Sequence, residues 1–134
     1  MESKRILVAD DDVKLLEALT ARLEAEGFEV ISTQDAYQAL ALARREQPDL
    51  LLLDINMPAG NGFSVQERAA EIDELANVPI VYITGEEPDA VDATAQELGA
   101  IAVVHKPFET TELLDAIRSA FGYWVAVDGA ASKA

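Results

Sequence analysis

The sequence predicts a doubly wound parallel α/β domain, and three observations carry that prediction. Strand and helix signals alternate five times along the 134 residues. The strands read as almost unbroken apolar runs, the pattern of strands covered on both faces. Three of those runs end abruptly in charge: Ile6-Leu7-Val8-Ala9 in Asp10-Asp11, Leu50-Leu51-Leu52-Leu53 in Asp54, and Ile101-Ala102-Val103-Val104-His105 in Lys106. A charge that ends an apolar strand is expelled at the strand's carboxyl edge, where open parallel sheets bind their ligands.

Residues 5–10 read as the first strand. A helix follows from about Asp12, with Leu15, Leu16, Leu19 and Leu23 at helical spacing and Gly27 as its stop. Phe28-Glu29-Val30-Ile31 alternates as a strand. Asp35, with Gln38 three residues on, is the N-cap signature of a second helix, and its Ala36, Ala39, Leu40 and Ala43 share one face. Pro48-Asp49 breaks that helix ahead of the strand 50–53. Pro58, Gly60 and Gly62 mark a loop, and a helix is expected over residues 64–75. Pro79 opens the strand Ile80-Val81-Tyr82-Ile83. A helix near 89–98 stops at Gly99, the strand 101–105 follows, and the last helix starts near Thr110-Thr111. Right-handed crossovers leave few topologies, and the flavodoxin-like (βα)5 order 2-1-3-4-5 is the expectation. That order makes strands 1 and 3 neighbours, so Asp10, Asp11 and Asp54 meet at the switch point. Thr84 and Lys106 arrive from strands 4 and 5.

Half of the residues are apolar, and the length suits one domain with a core of its own. The absence of cysteine excludes a disulfide framework and any thiolate nucleophile or metal ligand. No apolar run reaches membrane-spanning length, and Met1-Glu2-Ser3-Lys4-Arg5 leads straight into a strand, so a cytoplasmic protein with no membrane partner is expected. Ten basic against 25 acidic residues leave a formal charge of −15, which repels phosphate backbones and argues against direct nucleic-acid binding. Gathering three carboxylates costs on the order of several kcal/mol at intermediate dielectric, so the cluster asks for a divalent cation, and Lys106 for an anion.

Taken in order, Ile6-Leu7-Val8-Ala9-Asp10-Asp11-Asp12, Leu53-Asp54-Ile55-Asn56-Met57-Pro58, Ile83-Thr84-Gly85, Leu98-Gly99-Ala100 and His105-Lys106-Pro107-Phe108 resemble the receiver domain of two-component response regulators. The resemblance covers residues 4 to about 121. Each motif alone is common, but the ordered set at strand ends is specific. It implies a phosphorylation-dependent signalling switch rather than an enzyme with a substrate of its own. By that resemblance Asp54 is the phosphoacceptor, a carboxylate that attacks phosphorus to form an acyl phosphate. Asp11 and Asp54 would bind Mg²⁺ directly and Asp10 largely through water, with the backbone carbonyl of Asn56 as a further ligand. Lys106 would pair with Asp54 and then with the phosphoryl oxygens, and Thr84 would donate its hydroxyl to the same group. The Lys106–Pro107 peptide would be cis. A histidine kinase or a histidine phosphotransfer protein would be the donor, and an unknown output protein the reader; no output module follows in the sequence, so partner binding or onward phosphate relay is expected.

Other readings compete. A Mg²⁺-dependent phosphohydrolase commonly shows a second aspartate two residues after its nucleophile, where Asn56 stands here. A flavodoxin would need a Ser/Thr/Gly loop after strand 1, where Asp10-Asp11-Asp12 would repel a flavin phosphate. A receiver-like scaffold that works without phosphorylation stays open. Asp12 reads as a helix cap. His105, ending a strand, reads as packed or solvated rather than as a phosphorelay histidine. The chain departs from the family pattern at Val103, where receivers often carry an aromatic residue that swings inward; a β-branched side chain is too short and stiff for that. Asn56 and Glu86 flank the expected path of the attacking water. The receiver is expected over residues 1–121. The tail 122–134 contains the apolar Tyr123-Trp124-Val125-Ala126-Val127. It either packs on the last helix or on a second protomer in a homodimer, or begins a linker.

Overall fold

The computed structural model describes residues 3–57, 60–85, 87–125 and 131–133; Pro58, Glu86 and the tail residues 126–130 lie outside that set. Five strands form one parallel sheet: β1 (Arg5–Ala9), β2 (Glu29–Thr33), β3 (Leu50–Asp54), β4 (Ile80–Thr84) and β5 (Ala102–His105). Their spatial order is β2-β1-β3-β4-β5, as the sequence predicts. Period-two alternation sends successive side chains to opposite faces, and the two faces build two separate cores. Leu7, Ala9, Leu51, Leu53, Ile80 and Tyr82 pack with residues of α2 (Ala36–Glu46), α3 (Gly62–Ala69) and α4 (Pro88–Glu97). Ile6, Val8, Leu50, Leu52, Val81, Ile83 and Val104 pack with α1 (Val13–Ala25) and α5 (Thr110–Ala120). Helices on both faces are what the unbroken apolar strands require, since neither face could meet water.

The predicted caps form. The Asp12 carboxylate accepts from the Leu15 amide at 3.1 Å and the Asp35 carboxylate from the Gln38 amide at 2.7 Å. Gly27 takes φ +95°, a conformation that costs any residue with a Cβ, and so turns the chain out of α1. The third helix differs from expectation. It starts at Gly62, because Asn61 caps it by accepting from the Ser64 amide, and it ends at Ala69 rather than continuing to residue 75. Tight turns take over, with Glu71 bonded to Arg68 and Leu75 to Ile72. Carboxylates at Glu71, Asp73 and Glu74 would sit against the negative end of a longer helix dipole, and the turns instead bring Leu75 down into the core. The strand predicted over 101–105 begins one residue later, leaving the Ile101 side chain exposed. The tail is described in part, as Tyr123–Val125 paired antiparallel with Ala131–Lys133. No helix among the described residues is long and apolar enough to cross a membrane.

The junction of β3 and α3 is closely packed. A Cβ placed on Gly62 would lie 2.8 Å from the Asp54 carbonyl oxygen and 2.9 Å from Tyr82 Cε1. Backbone and a buried ring cannot yield as a flexible side chain would. Helix propensity favours alanine by about 0.5–1 kcal/mol, but overpacking of this kind costs about 1–3 kcal/mol. Gly62→Ala is therefore expected to lower the urea midpoint, with a net loss of up to about 2.5 kcal/mol; a raised midpoint would show that the junction has room.

Candidate functional site

The parallel register decides which residues meet. Ala9 of β1 lies beside Leu53 of β3, Asp54 beside Ile83 of β4, and Thr84 beside His105 of β5. The next residue along β1, and the one beyond β5, therefore emerge at the same edge as Asp54. One carboxylate oxygen from each of Asp10, Asp11 and Asp54 falls within 4.8 Å of the others. Lys106 Nζ donates to Asp10 Oδ2 at 3.0 Å and to Asp54 Oδ2 at 3.2 Å. Asp10 is 0% exposed and Asp54 4%, while Asp11 stands open to solvent. Thr84 is fully buried at the end of β4, and its carbonyl accepts from the Lys106 amide at 2.7 Å. The Lys106–Pro107 peptide is cis, as the resemblance implies.

Each buried carboxylate is held at both oxygens. Asp10 Oδ1 accepts from the Asp12 amide at 2.8 Å, and Asp54 Oδ1 from the Asn56 amide at 3.1 Å, so the other oxygen of each is left for the lysine. Burial, and then the negative charge of Asp10, push the Asp54 carboxyl up to about 6, against the opposing pull of the Asn56 amide and Lys106. Burial alone would lower Lys106. Its hydrogen bond to Asp10 and the charges of Asp54 and Asp10 outweigh that and hold it above the usual lysine range. Three carboxylates against one ammonium leave the cluster net negative, and an all-oxygen donor set open on the Asp11 side fits a hard divalent cation. Asn56 follows Asp54 in a two-residue ladder, Asn56–Met57 against Gly60–Asn61, that folds the loop back onto the start of α3.

Two arrangements near the site were not legible in the sequence. His105 Nε2 lies 3.0 Å from Asp92 Oδ1 on α4, while its Nδ1 is buried with no hydrogen-bond partner among the described residues. Facing a carboxylate, Nε2 acts as the donor, and the contact makes His105 a strut between β5 and α4. The second is a buried polar chain, in which Tyr82 donates to the Gly62 carbonyl and to Gln66 Oε1, and Gln66 Nε2 donates to the Leu98 carbonyl. No sequence signal marks it, since Tyr82 sits in an apolar run and Gln66 resembles any solvated helical glutamine. Val103 is half-buried on the same sheet face as Tyr82.

Comparison with known proteins agrees with this architecture. A family model described as the response regulator receiver domain matches residues 6–118. The DNA-binding response regulator MtrA of Mycobacterium tuberculosis (strain ATCC 25618 / H37Rv) is 42% identical over 117 residues, 87% of this chain and 50% of the relative. A probable transcriptional regulator, ycf27, of Porphyridium aerugineum is 37% identical over 119 residues, 89% of this chain and 48% of the relative. The chain thus spans about half the length of the curated relatives it matches. Among solved structures, a CheY-like response regulator receiver domain protein from Methanospirillum hungatei JF-1 superimposes with a TM-score of 0.81 at 30% identity, covering 88% of this chain and 93% of that one. With its five-stranded parallel sheet and the acidic cluster at the carboxyl edge, this chain belongs to the response regulator receiver domain family.

Proposed function

We propose that this receiver accepts a phosphoryl group on Asp54 from a histidine kinase or a histidine phosphotransfer protein and thereby changes what it binds. The observation that supports this reading best is the convergence of Lys106 on Asp10 and Asp54, with Asp11 completing the carboxylate cluster. An Asp54 oxygen attacks phosphorus as the bond to the donor's imidazole nitrogen breaks. The electron pair leaves with the imidazole, and the product is an acyl phosphate on Asp54. The carboxyl must be ionised to attack, and a group pushed to about 6 is largely ionised above neutral pH. Lys106 then turns from the carboxylate to a phosphoryl oxygen, a short movement for an ammonium already shared between two acceptors, and the Thr84 hydroxyl takes another. Mg²⁺ held by Asp10, Asp11, Asp54 and the Asn56 backbone carbonyl would offset the repulsion between phosphoryl group and carboxylates. The modified domain is read by an output protein or segment. Two relatives bear names of DNA-binding or transcriptional regulators, and a chain of charge −15 suits the phosphoryl-accepting half of such a protein better than its DNA contact.

Incubation with acetyl phosphate and Mg²⁺ is expected to add one phosphoryl group to the intact mass of the wild type and none to Asp54→Asn or to an EDTA-treated sample. An adduct of the same size on Asp54→Asn would move the acceptor elsewhere.

Stability should carry the mark of the strained carboxylate. The folded-state value of Asp54 lies above its unfolded value near 4. Folding therefore favours its protonated form, so its contribution is fully present below about pH 4 and is lost as pH rises through about 6. In metal-free buffer at pH 8, Asp54→Asn is expected to exceed the wild type by about 1–3 kcal/mol, and the gap should close towards pH 4. Urea unfolding of both proteins across that range checks the sign; a gap that does not vary with pH would mean that Asp54 ionises as freely folded as unfolded.

A further inference from the structure

Tyr82 is fully buried in β4, two residues before Thr84, and lies between Leu53 of β3 and Val103 of β5 in the sheet. Its ring meets Phe63 edge-on at 5.1 Å, and burial, with the Glu67 charge, pushes its phenol upward, so it stays a proton donor. That one proton faces two acceptors: the Gly62 carbonyl oxygen at 3.2 Å and Gln66 Oε1. Gln66 passes the connection on, donating from Nε2 to the Leu98 carbonyl at 2.7 Å. Leu98 caps the C-terminus of α4, where the last carbonyls have no partner within the helix. At the other end, the Gly62 amide donates to the Ile55 carbonyl at 3.0 Å, and its neighbour Asn61 pairs with Asn56 across the short ladder. A continuous line of hydrogen bonds therefore runs from the two residues after Asp54, through the first turn of α3, to the end of α4.

Polar groups buried in an apolar layer cost stability unless bonded, and a leucine or phenylalanine would fill either place without that demand. Tyr82 and Gln66 satisfy each other and two backbone carbonyls that belong to different helices. Beside Tyr82 stands Val103, too short and stiff to carry a displacement from the site to α4. We propose that Tyr82 and Gln66 are positioning residues that couple the loop after Asp54 to the C-terminal end of α4, so that phosphorylation is transmitted to α4 through α3 rather than through residue 103. The inference rests on the phosphoacceptor reading above.

The test is an NMR comparison of backbone amide shifts at Leu98, Gly99 and Ala100 before and after treatment with acetyl phosphate and Mg²⁺. Intact mass verifies the phosphoryl group in each sample. The wild type and Val103→Ala are expected to show a clear displacement of these amides. In Tyr82→Phe and Gln66→Met the displacement should be smaller by about twofold or more per phosphorylated molecule, while the amides of Asp11 and Asn56 still respond. The two variants remove opposite halves of the link, and urea midpoints of all four proteins separate loss of coupling from loss of stability. Variants that are less stable yet respond like the wild type would show a packing role only and overturn the proposal. A wild type that is phosphorylated while Leu98–Ala100 stay in place would overturn it too and leave the phosphoacceptor reading standing. A wild type that takes up no phosphoryl group would remove that reading and this inference with it.

Discussion

The rest of this structure depends on the confinement of Asp10 and Asp54, both nearly without solvent, on either side of Lys106. Two carboxylates at such separations repel by roughly 4 kcal/mol at an effective dielectric of about 20. The fold answers with one ammonium shared between them and one backbone amide for each. Those contacts draw their partners from Asp12, Asn56 and Lys106, at the ends of three different strands. The arrangement holds only if β1 and β3 are neighbours and β5 ends level with them, so the strand order and the site are one requirement seen at two scales.

Such a balance responds strongly to added charge. Asp54 is already held above its ordinary range by burial and by Asp10, so the free cluster is poised rather than relaxed. A phosphoryl group brings roughly −1.5 to −2 charge at neutral pH, and Lys106, bonded to both carboxylates, is the nearest cation able to follow it. Any resulting shift in the protein's populations can be no larger than the difference in how two conformations accommodate that charge. On the proposed reading, a rigid frame with one adjustable cation keeps that difference at the carboxyl edge, where the loop after Asp54 is tied to the first turn of α3.

The sheet order, the two capping aspartates and the charged cluster were legible because each leaves a local trace. Unbroken apolar runs mark buried strands, Asp35 with Gln38 marks a helix start, and Asp54 after four leucines marks a strand end. What was not legible depends on contacts distant along the chain. The end of α3 is set by Leu75 reaching the core through turns, and a residue-by-residue helical pattern continues past it. His105 and Asp92 lie 13 residues apart on different elements, with no periodicity to pair them. Gln66 looks solvated until the fold brings Tyr82 and Leu98 to it. In each case the deciding partner becomes visible only after tertiary packing, which overrides local preference.

The same junction serves packing and chemistry, which limits how either can change. Gly62 lets the first turn of α3 approach the Asp54 carbonyl and the Tyr82 ring at distances that a side chain would forbid. That approach shortens the loop after Asp54 and fixes Asn56 opposite Asn61. Moving α3 outward to make room would free the loop, lengthen the Tyr82 contact and loosen the amide that holds Asp54. Domains of this size keep only about 5–15 kcal/mol of net stability, and a buried leucine contributes about 1.5–3 kcal/mol. A strained acidic edge is tolerable here because β1 and β3 bury apolar side chains on both faces beneath it. A sheet with one wet face would have half of that support, and the cluster would have to be relaxed, losing the sensitivity to charge on which a switch depends.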